Sequence, residues 1–470
     1  MRRWCGMIAM LAATNLPLLV WQANRATGCS RSERQLAVSL RIQYAPGLML
    51  LRRTPAGSLI QNGKRLELKL LDASMARFPD LLTLLPSPVE LDTCRTLLFN
   101  FSDLAGAYPS MAASLVAWFR NCESAFEAKE TEIDYDPPRN DNAERWLDEV
   151  GFTHQILNSG DALKDRPCTM VLHEVAPGVR DASERVATDI DRLISRNRLP
   201  IKEDSLSSLY VALSEVVENV TRHAQINSAA FACAQVHPRV GKFSVCVADA
   251  GIGLAESFRN APYAPARERL EGGESPLDLA IEPLMSTKYG MGHSGYGLFY
   301  SSELCALSKG TFSITSGNES LIIHPNGRYK RSHGFWKGTI VQMLLNTREA
   351  VDGSRVWQKL PDLNEDEPRM IYVDVVPSDC FLLRTFGNRL FTRDLGARVL
   401  DAALQRPGDK LIISLEGVEV MTPSFADEFF GGLFSRLGQE PFRSRVGLLH
   451  PDHYIQSLVE MVLKHRSERQ

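Results

Sequence analysis

The stretch Leu206-Ser207-Ser208-Leu209-Tyr210-Val211-Ala212-Leu213-Ser214-Glu215-Val216-Val217-Glu218-Asn219-Val220-Thr221-Arg222-His223-Ala224 decides how this chain reads. Apolar residues at 206, 209, 213, 216, 217 and 220 form one stripe of period 3.6, which predicts a helix that packs into a core. Beside the stripe, Glu215, Asn219 and His223 stand at i, i+4 and i+8 and form one polar row. Two readings fit that row: a plain polar helix edge, or a base and a metal ligand presented one turn apart.

Three further segments follow. Lys242–Ala248 alternates Phe243, Val245 and Val247, which predicts a half-buried strand. It ends in Asp249-Ala250-Gly251-Ile252-Gly253, where an acid and two glycines let a backbone approach a ligand or simply turn. Gly292, Gly295 and Gly297 precede a helix pattern from Leu298 to Leu304, and glycines opening a helix offer free N–H groups to an anion. A Rossmann site would follow a strand in a βαβ unit and show a ribose-binding acid, and these glycines have neither. Gly310–Ser316 and Gly338–Leu345 read as strands, and Asn326-Gly327 as the turn between Leu321–His324 and Arg328–Arg331. Helices over a mixed, largely antiparallel sheet predict an α+β layer.

The flanks carry an internal repeat. Leu97–Phe101, then Leu104, then Tyr108-Pro109-Ser110-Met111 and a helix pattern to Phe119 matches Leu411–Leu415, then Val418, then Thr422-Pro423-Ser424-Phe425 and a helix pattern to Leu437. Proline in a first helical turn with serine as its cap accounts for Pro-Ser without chemistry. The organisation expected is an apolar segment at 1–34, an α/β domain at 35–165, the motif-bearing domain at 166–350, a linker at 351–368 and a second small α/β domain at 369–470. Pro361–Glu367, acidic and Pro-containing, is the centre of that linker.

Composition is that of a globular protein, 44% hydrophobic and 23% charged. Fifty-three basic against 56 acidic residues give a formal net charge of −3, so no basic field points to nucleic acid. Nine scattered cysteines without a Cys-x-x-Cys fit reduced thiols in a cytoplasmic protein rather than a disulfide or zinc framework. Arg2 and Arg3 precede the apolar run Trp4–Trp21, which reads as a signal, a membrane anchor, a buried helix or a start codon assigned too far upstream. An anchor would leave the body cytoplasmic, because Arg25, Arg31 and Arg34 follow it.

Taken in order, Glu215–Asn219, Asp249–Gly253, Gly292–Gly297 and Gly338-Thr339 resemble the GHKL ATP-binding domain, the Bergerat fold of gyrases, Hsp90, mismatch-repair ATPases, histidine kinases and anti-sigma-factor kinases. The resemblance covers roughly 200–347. It implies ATP and Mg²⁺ as ligands, with Glu215 as general base and Asn219 on the metal. His223 ends the same row. Asp249 would accept from the adenine amino group, and Gly251 and Gly253 would admit the base. Gly292, Gly295 and Gly297 would line the phosphate loop, Thr339 the adenine side, and Lys288 would contact phosphate from a lid at 255–291. These roles suit phosphoryl transfer, which needs a metal, backbone donors and a positioned base.

Within that superfamily, Ala212–Ala224 looks most like anti-sigma-factor serine kinases. A sensor-kinase phosphoacceptor on a helix is not expected at His173, because Cys168–Val175 reads as a strand and Pro177 follows. The partners of serine kinases of this type are STAS domains, and Leu411–Phe425 resembles one, with Ser424 on the phosphoacceptor position. Thr422-Pro423 and Phe425 depart from that pattern. Closer still is a STAS-like domain of unknown function with its Ser-Phe-Ala-Asp-Glu at 424–428. Ser110 holds the equivalent place in the first repeat, and Trp146–Phe152 resembles the last STAS helix. The expectation is therefore a bacterial-type protein, STAS-like, GHKL, STAS-like. It acts as an ATPase or nucleotide-dependent switch on its flanking domains or a regulatory protein partner, and can form a homodimer. Two alternatives stay open: a serine kinase acting on Ser424, Ser110 or a separate STAS partner, and a non-catalytic ATP-binding scaffold.

Overall fold

The structure is a computed structural model. It describes residues 48–157, 168–175, 182–199, 201, 203–223, 229–261, 264–283, 285, 295–357, 359, 371–372 and 379–467. The chain is of the α+β class, as the patterning predicts. The apolar segment 1–34 lies outside the described residues, and no described helix is long and apolar enough to cross a membrane.

The first unit is a five-stranded sheet in the order β1 (Leu48–Thr54), β2 (Gly57–Asn62), β3 (Arg65–Leu70), β4 (Thr96–Asn100), β5 (Glu132–Asp136). β1–β3 form an antiparallel meander, and β3, β4 and β5 run parallel. Helix α1 (Phe78–Leu84) lies between β3 and β4, α2 (Pro109–Ala128) between β4 and β5, and α3 (Asp141–Glu149) after β5.

The middle unit is a second five-stranded sheet, β6 (Thr169–Glu174), β7 (Ala230–His237), β8 (Lys242–Asp249), β10 (Gly327–Asn346) and β9 (Thr311–His324). All its pairings are antiparallel, so the expected mixed sheet is antiparallel throughout among the described strands. The β9–β10 hairpin turns at Pro325-Asn326, where Gly327 (φ 146°) takes a conformation that side chains resist. Helices α4 (Ala182–Asn197), α5 (Glu203–His223), α6 (Gly253–Arg259) and α7 (Gly297–Leu307) belong to this unit. The α5 stripe Leu209, Leu213, Val216, Val217 and Val220 is buried against Ala232, Ala234, Phe243, Val245 and Val247.

The opposite face of this sheet is not open to water. α2 packs on β7 and β8, and α1 on β10. Phe231, Cys233, Cys246 and Ala248 thus join one core with Met111, Leu115 and Phe119 of the first unit. This corrects the half-buried reading of Lys242–Ala248, because its polar-phase residues Ser244 and Cys246 are buried as well. The partner surface arrives from a segment more than a hundred positions upstream, which local periodicity does not register. The seven described cysteines are free, and burial raises the thiols of Cys233, Cys246 and Cys305, which makes them unreactive.

The last unit contains β11 (Ile371–Tyr372), β12 (Phe381–Leu382), β13 (Arg389–Leu390), β14 (Leu411–Ser414), β15 (Val420–Met421) and β16 (Val446–Leu449). β11-β16-β14-β12 form a parallel sheet, beside a small β13–β15 pair. Helix α8 (Ser354–Trp357) precedes it, α9 (Arg393–Leu404) follows β13, and α12 (His453–Ser467) closes the chain. Between them α10 (Pro423–Ala426) runs through a π-helical turn at Asp427–Gly431 into α11 (Gly432–Leu437). Strands β12, β14 and β16 with α9, α10–α11 and α12 repeat the sequence of β3, β4 and β5 with α1, α2 and α3. The repeat read from Leu97 and Leu411 therefore extends to three parallel strands and their helices. The described start of the expected 351–368 linker is not a tether. Val356 and Trp357 are buried, and Trp357 stacks on Tyr300 with ring centroids 5.0 Å apart.

The π turn carries a buried ion-pair network. Asp427, 1% exposed, accepts from Arg393 at 3.1 Å and from Arg466 at 2.8 Å, and Glu428 accepts from Arg393 at 2.9 Å. Burial works against charge on Arg393, and Asp427 with Glu428 outweighs it and raises that group. Such a network does little for stability against apolar residues of the same shape, yet removing one member strands the others. Asp427→Ala is expected to lower the unfolding free energy by about 3–5 kcal/mol, read from urea denaturation of the full chain. A loss under about 1 kcal/mol contradicts the role assigned to this network.

Candidate functional site

Most of the described sequence-predicted residues gather in two clusters at the middle unit. The first forms where β8 ends. Asp249 is 5% exposed, and its Oδ1 accepts from the Gly251 N–H at 2.8 Å. Thr339 faces Asp249 across the β8–β10 ladder and its N–H also supports the carboxyl. Burial is the largest influence on this group and raises it to about 7, with the two N–H donors pulling the other way.

The glycines around Asp249 are needed by the backbone. A Cβ on Gly338 (φ 111°) would sit 2.1 Å from the Asp249 carbonyl oxygen, so β10 approaches β8 this closely only without a side chain. Gly253 (φ 77°) opens α6, and a Cβ there would lie 2.9 Å from Ser316 Oγ. Ser316 ties the cluster together: its hydroxyl donates to the Gly338 carbonyl at 2.7 Å and accepts from the Leu254 N–H at 3.0 Å. Trp336 Nε1 donates to the Asp249 carbonyl at 3.0 Å. Sequence reasoning missed Ser316, the last residue of a strand pattern, and Trp336, which falls between two of them; neither belongs to a motif.

The second cluster centres on Glu215, 5% exposed at the middle of α5. Its Oε2 faces the start of α7 so closely that a Cβ on Gly297 would come within 2.8 Å. Its Oε1 accepts the Ser424 backbone N–H at 3.1 Å, from the start of α10 in the last unit. Carboxyl groups are favoured at helix starts, where N–H groups lack partners within the helix. Asn219 stands one turn further along α5 and is half-buried. Gly295 (φ 71°) and Tyr296 lead into α7, and Tyr296 is buried in a seam of rings with Trp357 at 5.8 Å and His465 at 5.9 Å. Lys288, Gly292 and the side chain of His223 lie outside the described residues.

The two candidate phosphoacceptors part company. Ser424 touches Glu215. Ser110, at the equivalent position of α2, is 3% exposed in the first unit's core, and its hydroxyl has no hydrogen-bond partner among the described residues. Neither serine is the helix cap that the Pro-Ser pattern suggests. Thr422 caps α10, its hydroxyl accepting the Phe425 N–H at 3.1 Å, and Tyr108 precedes α2 without a side-chain cap. Capping was misassigned by two positions because proline holds the first helical place in both. His173 is in β6 and pairs with Asp189, so it is not on a kinase-type helix.

Residues 395–456 match the family model for a STAS-like domain of unknown function (DUF4325). The match includes the Ser-Phe-Ala-Asp-Glu stretch at 424–428, whose Ser424 meets Glu215 and whose Asp427 and Glu428 hold Arg393. No curated protein and no solved structure matches the chain.

A buried carboxyl held at about 7 makes folding depend on pH. The folded chain binds a proton on Asp249 between roughly pH 4 and 7 where the unfolded chain does not, so this group's contribution to stability falls as pH rises through that window. Asp249→Asn removes the dependence. Melting curves of both proteins from pH 5 to 8 are expected to show the gap moving in favour of the Asn variant, by a few kcal/mol at most. A gap independent of pH contradicts the burial of an ionisable group there.

Proposed function

We propose that this chain is a Mg-ATP-binding regulatory switch of the GHKL type, acting on its STAS-like domain or on a protein partner. The C-terminal STAS-like domain points to a regulatory role, and the motifs of 200–347 supply the nucleotide reading. The observation that carries it is the Asp249 cradle. A buried carboxyl that accepts from backbone N–H groups of β10 and of the turn after β8, beside two glycines with no room for a side chain, suits recognition of an exocyclic amino group beside a flat ring.

The remaining residues have compatible work to do. Glu215 would hold or accept a proton from an attacking water. Asn219 would add one oxygen to a magnesium ion that otherwise keeps phosphate and water ligands. Gly295 and Gly297 would present N–H groups at the start of α7 to phosphate oxygens. When bound, ATP would supply the γ-phosphoryl group. Lys288, Gly292 and His223 retain their proposed phosphate-loop and row positions. A homodimer, a separate STAS-type partner and a cytoplasmic setting belong to the same reading, and nucleic acid does not.

One observation favours the serine kinase as a second reading. The Ser424 backbone N–H donates to Glu215, so the expected base and the STAS phosphoacceptor position are already neighbours.

The test is purified full chain with Mg²⁺ and ATP labelled on the γ-phosphate. The switch reading expects label released as free phosphate, reduced roughly 100-fold or more in Glu215→Gln, and ATP binding weakened in Asp249→Asn. Label fixed on the protein and lost in Ser424→Ala establishes the kinase reading instead. Absence of ATP binding overturns both.

A further inference from the structure

The contact between Glu215 and Ser424 has a regulatory consequence for the site proposed above, and it rests on that ATP-binding reading. We propose that the C-terminal STAS-like domain holds Glu215 in a resting state, and that this hold and productive occupation of the nucleotide site exclude one another. A base has to come within about 2.6–3.2 Å of the group whose proton it takes. At Oε1 that space is filled by the Ser424 backbone at 3.1 Å. At Oε2 the start of α7 stands close, since a Cβ on Gly297 would come within 2.8 Å. Glu215 is freed when the start of α10 withdraws.

The hold is anchored along α5 by contacts outside the proposed chemistry. Arg389 of β13 pairs with Asp191 of α4, and its guanidinium lies 4.7 Å above the Tyr210 ring. The same arginine reaches Glu419 at 3.4 Å, and the Glu419 carbonyl accepts from the Ser207 hydroxyl at 3.4 Å. Behind this polar row, Tyr300, Trp357 and Tyr454 form an apolar seam between α7, α8 and α12. The seam keeps the domains together, so a local withdrawal of residues 422–426 suffices. The Tyr454 hydroxyl reaches the Met421 carbonyl at 3.3 Å, one residue before the capped start.

Weakening the hold from either side raises the fraction of chains able to take nucleotide, and apparent affinity rises with that fraction. The experiment is amide hydrogen exchange on the full chain, with and without Mg²⁺ and adenylyl imidodiphosphate, together with binding of that analogue. Wild type is expected to exchange about ten-fold faster at residues 422–428 when the analogue is bound, with β14 and β16 unchanged as the internal control against unfolding. Arg389→Ala and Asp191→Asn, one in each domain, are expected to loosen 422–428 without nucleotide and to bind the analogue about five-fold more tightly. Analogue binding with unaltered exchange at 422–428 and wild-type affinity in both variants overturns the hold and leaves the ATP site standing. Failure of wild type and both variants to bind overturns the ATP reading and the hold together.

Discussion

One buried carboxyl group organises the relation between the domains. Glu215 lies at the middle of a helix that is otherwise core, and a carboxyl in that position needs hydrogen-bond partners to offset the loss of water. One of them is the Ser424 N–H at the start of α10 in the STAS-like domain, and the start of α7 lies close to the other carboxyl oxygen. Because this donor comes from another domain, forming the bond and docking that domain are one event. Any function that needs Glu215 for a different partner must compete with the docked arrangement.

The middle sheet is likewise a shared wall. Its alternating residues divide into two cores, one with α5 and the C-terminal unit, the other with α2 of the first unit. A sheet packed on both faces has little room to bend, since packed interiors yield little. Regulation is easier to build at the helix starts around Glu215, where the contacts are polar and few. The two flanking units share a strand–helix order yet are used differently. The first buries its Pro-Ser helix start against the sheet, and the last turns its own toward the proposed catalytic end.

Much of this was legible in the sequence. The helix around Glu215, the strand ending at Asp249, the Asn326-Gly327 turn and the Pro-Ser repeat are local patterns, and each formed close to where it was read. The Glu215–Ser424 bond was not legible, because it joins residues over two hundred positions apart through a backbone group that carries no side-chain signal. Ser316 was missed for a similar reason: a serine in a strand looks solvent-facing until β10 folds over it. The half-buried reading of β8 failed because its second cover comes from α2. Motif glycines were read as admitting a ligand, whereas Gly253, Gly297 and Gly338 are each required by a neighbouring atom of the protein itself. Those two demands are compatible, and the structural one alone explains why no side chain stands there.

The most direct measurement of the central claim is a crystal structure of the full chain with Mg²⁺ and a non-hydrolysable ATP analogue. The account predicts an intact Asp249 cradle, with Ser424 N withdrawn from Glu215 Oε1 beyond hydrogen-bond distance. An analogue seated against Asp249 and Asn219 with the 3.1 Å bond still in place contradicts it.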